Sequence, residues 1–170
     1  MIFRLSQKLN AKIKAGTLRT LPLDENPFAD WSAHLFVAGR TQYILLSNTM
    51  SLFSTVMHGK GITNEKTFIE RALSSIREFM DADGQEGVYE RLVAPVSGSV
   101  RFAKALNRSV TGSINDMMKH AVYYLAAGGI SLFEIGSRLN EIPMSALHHN
   151  GSPYGFPRDV FTEMMSRAGS

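Results

Sequence analysis

The 170-residue chain contains no cysteine. That absence excludes disulfide scaffolds, thiol nucleophiles and any zinc or iron–sulfur site built on thiolates. It leaves the compartment open, because cysteine-free chains are tolerated in reducing and oxidising surroundings alike. Long apolar runs are missing too. The stretch poorest in charge, His120 to Phe133, is interrupted by Gly128 and Gly129 and is too short to span a bilayer. The opening residues, MIFRLSQKLNAKIK, carry charge where a signal peptide would hold an apolar core. The expectation is a cytoplasmic protein with no membrane partner. No phosphate loop, dinucleotide fingerprint, nucleophile elbow or HExxH pair occurs. Motifs therefore name no catalytic residue, no cofactor and no metal ligand, and the reading leans away from an enzyme.

What is present is the composition of a folded domain. Hydrophobic residues make up 44% and charged residues 19% of the chain, enough apolar material for a core without staples. The length fits one domain, with residues 1–112 carrying the sheet and residues 113–170 helical. The net charge is +3, and Arg4, Lys8, Lys12, Lys14 and Arg19 all precede the first acid, Asp24. On a helix Lys8 and Lys12 are neighbours whose mild repulsion an anionic partner would relieve.

Apolar periodicity sets out the elements. Residues 1–5 read as a strand, and Ser6 caps a helix with Leu9 and Ile13 inward, closed by Gly16. Residues 33–37, 42–47 and 51–57 are short apolar runs separated by AGR and NT turns, which predicts an antiparallel meander. Asn64 or Thr63 caps an amphipathic helix bearing Phe68, Ile69, Ala72, Leu73, Ile76, Phe79 and Met80 on one stripe. Residues 99–106 read as a later strand, and helical spacing resumes from Ser113 with Ile114, Met117, Met118, Ala121, Val122 and Leu125 inward. Pro157 suits the first turn of a last helix. The expected fold is α+β: an antiparallel sheet of about four or five strands packed by amphipathic helices, with a helical C-terminal third.

The most distinctive polar stretch is NRSVTGSINDMMK, residues 107–119. Ser113 and Asp116 have capping-box spacing, and Gly112 ahead of them would let the chain turn. That account leaves Asn107, Arg108, Ser109 and Asn115 unexplained. A helix start fronted by such residues also suits an anion. These four, with Asn48 and Thr49 in the turn after the second meander strand, are the candidate residues for binding a small anion or a protein partner.

The same stretch, with WSAHLFVAGRTQYILLSNTMSLFS, resembles an uncharacterised family of small bacterial proteins classed as a domain of unknown function. The matching positions are Trp31, Leu35, Phe36, Asn48, Leu52, Phe53, Ser54 and the segment Asn107 to Asp116, with an Asn-Arg-Ser-x-x-Gly-Ser-x-Asn-Asp motif. The resemblance spans about residues 1–147. It implies a compact α+β domain and carries no activity with it.

Residues 131–149 resemble a helix-turn-helix. Ser131 and Glu134 form a capping box, Ile135 and Leu139 point inward, and Pro143 would open a second helix holding Ala146 and Leu147. A DNA-binding regulator is thus an alternative, with Arg138, Ser145, His148 and His149 as its contacts. Its weakness is charge, since Arg138 is the lone Lys or Arg between Lys119 and Arg158, and phosphate neutralisation supplies most of the affinity for DNA. The histidines lack metal-ligand spacing, and His34, His58 and His120 read as isolated structural or surface residues. Three readings result: a non-enzymatic binding module, a DNA-binding regulator, or a protein that binds or transforms a small anion near Ser113.

Overall fold

The computed structural model describes all 170 residues. Its centre is a five-stranded sheet formed by β1 (Ile2–Leu5), β2 (Asp30–Ala38), β3 (Thr41–Asn48), β4 (Ser54–His58) and β5 (Arg101–Ala103). The spatial order is β4-β3-β2-β1-β5. The β2–β3–β4 meander is antiparallel, as its short links require. The sheet as a whole is mixed, because β1 runs parallel to both of its neighbours, β2 and β5.

This corrects the expectation of an all-antiparallel sheet. Between Leu5 and Asp30 lie helix α1 (Gln7–Ile13) and a long loop, which together form a crossover long enough to return the chain in the same direction. The edge position of β5 follows a second long excursion through α2 (Glu65–Ala82) and a π turn at Tyr89–Val93. Both connections exceed what a hairpin uses, so strand direction had to be read from connection length rather than from the nearby meander.

Both faces of the sheet are covered. Phe3, Leu5, Trp31, Ala33, Ile44 and Leu46 pack with α1, α2 and α5 (Pro157–Ala168). Phe36, Leu45 and Val56 pack on the opposite face with α3 (Arg108–Ala127) and α4 (Leu132–Leu139). Burial on both sides explains why β3 reads YILL instead of alternating with polar residues. No helix is long and apolar enough to cross a membrane.

Helix α3 starts earlier than the spacing predicted. Asn107 is its N-cap, its carboxamide oxygen accepting from the Val110 amide at 2.9 Å. Ser113, expected to be the cap, is 2% exposed in the second turn, and its hydroxyl accepts from the Ala146 amide at 3.3 Å. The capping-box spacing at Ser113 and Asp116 coincided with a helix already under way.

The expected second helix of the helix-turn-helix does not form. Met144 instead makes a two-way backbone bridge with Gly155, N to O distances 2.8 and 3.2 Å. A Cβ on Gly155 would sit 2.7 Å from the Leu147 carbonyl oxygen, so only glycine permits this approach. Pro143 thus leads into a folded-back loop whose Met144 and Leu147 are buried against α3 and α4.

The face of the sheet under α3 carries a row of buried polar side chains. Arg4 and Asp30, 1% and 0% exposed, form a bidentate pair with both contacts at 2.8 Å. The other guanidinium hydrogens go to the Leu21, Pro22 and Lys104 carbonyls, and Asp30 also accepts from the Asp24 amide. Further along, the Asn140 carboxamide pairs with both the amide and the carbonyl of Ser54, extending the ladder beyond edge strand β4. Apart from His34 and Thr55, every buried polar side chain has a hydrogen-bond partner.

Candidate functional site

Because β1 and β5 are parallel neighbours, both end at the same margin of the sheet. From there α1 packs onto one face and α3 onto the other. Chains that diverge to opposite faces leave a crevice outside the carboxyl ends of the strands, the place where open α/β sheets take ligands. Here the crevice is a cavity of about 760 Å³, within the size range of small-molecule sites.

Its walls follow from these elements. Leu5, Ser6 and Lys8 come from the β1–α1 junction, and Lys104 and Ala105 follow β5. From β2 come His34 and Leu35; from α3 come Thr111, Asn115 and Met118, four and three residues apart and so on one helix face. The Arg4–Asp30 pair fixes this architecture from beneath, since Arg4 donates to the Lys104 carbonyl at 3.3 Å and to the Leu21 carbonyl at 2.9 Å. A buried charge pair thereby holds the β5 exit and the loop after α1 in place. Ser6 performs the same service at β2: its hydroxyl accepts from both the Leu9 and Leu35 amides.

The charge of the lining is one-sided. Lys8 and Lys104 contribute positive charge, and no aspartate or glutamate lines the cavity. Leu5, Leu18, Leu35 and Met118 supply an apolar portion. Asn10 donates to the Gly16 carbonyl at 2.8 Å, while its own carbonyl oxygen is buried without a partner.

His34 stands out against the satisfied row around it. It is 7% exposed, lines the cavity and makes no hydrogen bond to the protein. Burial pushes its pKa down to about 4, because an imidazolium there would lose its hydration. At neutral pH the ring is uncharged, offering one N–H donor and one nitrogen acceptor. No carboxylate lines the cavity to orient or charge it, so the arrangement lacks the support of a catalytic base.

The residues singled out in the sequence do not converge. Asn48 is fully buried at the end of β3, donating to the Pro27 and Asp30 carbonyls and accepting from Ser51. Thr49 is 2% exposed and shares a hydrogen bond with Ser32. Both stabilise the turn from inside. Asn107 is the α3 cap, and Arg108 and Ser109 are exposed on the first turn without lining the cavity. Of the six candidates, Asn115 alone reaches the cavity. In the C-terminal segment Arg138 is engaged by Glu134 and by the Tyr124 ring, and His149 faces Glu163 at 3.4 Å. Ser145 and His148 lie exposed on the folded-back loop. No three side chains of metal-ligating type converge anywhere in the fold.

With this geometry in hand, comparison with known families gives one match. Residues 2–160 match a family described as a domain of unknown function, DUF6933. The chain belongs to that family. No curated protein and no solved structure matches it. Membership agrees with the expectation of a domain of unknown function, and the match runs beyond residue 147 into the first turn of α5. The family brings no assigned chemistry, so any role for the cavity rests on its residues.

The sequence reading set His34 aside because a lone histidine in an apolar strand usually serves structure. The signal available was the alternation in DWSAHLF: polar Asp30, Ser32 and His34 alternate with apolar Trp31, Ala33 and Leu35. In a strand buried on both faces, that pattern marks a polar row needing partners.

Proposed function

We propose that this domain is a non-enzymatic binding module whose cavity at the ends of β1 and β5 takes a small anionic molecule. The observation that carries the reading is His34, a buried imidazole without a protein partner that opens into a cavity bordered by Lys8 and Lys104 and by no acid. An occupant that displaces water from His34 without replacing its hydrogen bonds would bury the ring unpaired, so one that pairs with it is favoured. The two ammonium groups favour negative charge and the leucines an apolar body. Asn115 and Thr111 add neutral hydrogen-bonding groups from α3. The anion thus lies beside the early turns of α3 without depending on its N-terminus.

A DNA-binding role has less support. The segment 131–149 lacks a second helix to enter a groove, and Arg138 is already paired. A protein partner at Asn48 and Thr49 is likewise disfavoured by their burial.

A thermal-shift screen of monocarboxylates, dicarboxylates and phosphate monoesters tests the reading. A ligand at a hundred times its dissociation constant adds about 2.7 kcal/mol of stability. Stabilisation of the wild type that is lost in the Lys8→Ala, Lys104→Ala double variant supports it. Acids that stabilise both proteins equally would show that the cavity is not where they bind.

A further inference from the structure

The reading of the cavity as an anion site leaves its selectivity open, and here His34 says more than the lysines do. Lys8 and Lys104 are donors only and treat all anions of similar size alike. His34 differs, for neither ring nitrogen is tied to a protein atom. A histidine held by a carboxylate or a backbone carbonyl has its tautomer chosen for it. This one is free to present either nitrogen to an occupant. Its neighbours on the same face of β2 illustrate the contrast: Asp30 is saturated by Arg4 and the Asp24 amide, and Ser32 by Thr49.

We infer that the cavity selects an apolar acid carrying a second, neutral hydroxyl group, with the acid held by Lys8 and Lys104 and the hydroxyl paired to His34. This rests on the preceding reading and narrows it to a substrate class. A hydroxyl both donates and accepts, so it matches either tautomer of an imidazole. A bare hydrocarbon at the same place would cut the ring nitrogens off from water and leave them unpaired. Sites built to hydrogen-bond a ligand hydroxyl reject analogues lacking it much more strongly than apolar pockets reject an extra methylene. A zwitterion or an amine fits worse, because no carboxylate lines the cavity to receive an ammonium group.

The experiment uses matched pairs. Calorimetric titrations of the full chain compare para-hydroxyphenylacetate with phenylacetate and terminally hydroxylated decanoate with decanoate, with tyramine as the cationic control. The hydroxylated member of at least one pair is expected to bind ten-fold or more tighter than its partner, with no binding of tyramine. In His34→Phe the preference should fall to within about two-fold, while His34→Gln, which keeps a donor and an acceptor, retains part of it. The Ser109→Ala variant, altered at an exposed position on α3 outside the cavity, should keep the preference and serves as the folded control. Acids that bind in a Lys8- and Lys104-dependent way, but equally within every pair, overturn this inference and leave the anion reading standing. Failure of every acid to bind overturns both.

Discussion

Lowering the pH from 7 to 5 should destabilise the protein through protonation of His34. In the unfolded chain the imidazole binds its proton near pH 6.5, whereas in the folded state it resists protonation until about pH 4. Between those values the unfolded state holds more protons, so folding stability rises with pH across the window and falls as acid is added. The full difference of about 2.5 units corresponds to about 3 kcal/mol, of which about 2 kcal/mol is lost by pH 5. Urea denaturation of the wild type and of His34→Gln at pH 7, 6 and 5 measures it. The wild-type midpoint should move down with acid, and the variant should lack about 2 kcal/mol of that loss. The remaining histidines are common to both proteins and cancel in the difference. Equal acid dependence in the two proteins would mean that His34 is solvated in the folded state, and the argument for an unpaired buried ring would collapse.

Other perturbations probe the scaffold that shapes the cavity. Replacing Arg4 by Met strands Asp30 as a buried charge, and should cost about 3–5 kcal/mol by chemical denaturation; adding Asp30→Leu should recover much of the loss. Asn140→Ala leaves the amide and carbonyl of Ser54 without their partner, a loss of about 2–4 kcal/mol seen as a lower denaturation midpoint. Asn107→Ala should cost about 1 kcal/mol as the loss of a cap, with faster hydrogen exchange confined to the first turn of α3. Equal protection of that turn in wild type and variant would contradict the assigned helix start.

How much of this was legible beforehand depended on whether the signal was local. Ser6, Asn64 and Ser131 cap their helices where short-range spacing places them, because a cap needs only its own next three residues. The meander was legible through its tight links for the same reason. Strand direction at β1 and β5 was not, because parallel pairing joins residues a hundred positions apart, as in Ile2 beside Arg101. At α3 two overlapping cap signals competed. Asn107 prevailed because starting there lets Ser113 sit inside the helix and bond the Ala146 amide, a partner more than thirty residues away. Asn48 and Arg108 looked functional because polar residues near turns often are, yet the fold buries the first within its own turn and leaves the second in solvent. Asn115 reached the cavity because it lies four residues beyond Thr111 on the face of α3 that looks toward the end of β5.

The central claim is that small anions enter at the ends of β1 and β5, and amide chemical-shift mapping locates that event without presupposing the ligand. Isotope-labelled protein titrated with any acid that stabilises it should show its largest shifts at Leu5–Asn10, His34, Leu35, Lys104 and Thr111–Met118. Shifts clustered instead around Thr55, Arg71 and Phe133, which line a separate groove between β4, α2 and α4, would place binding elsewhere and contradict the account.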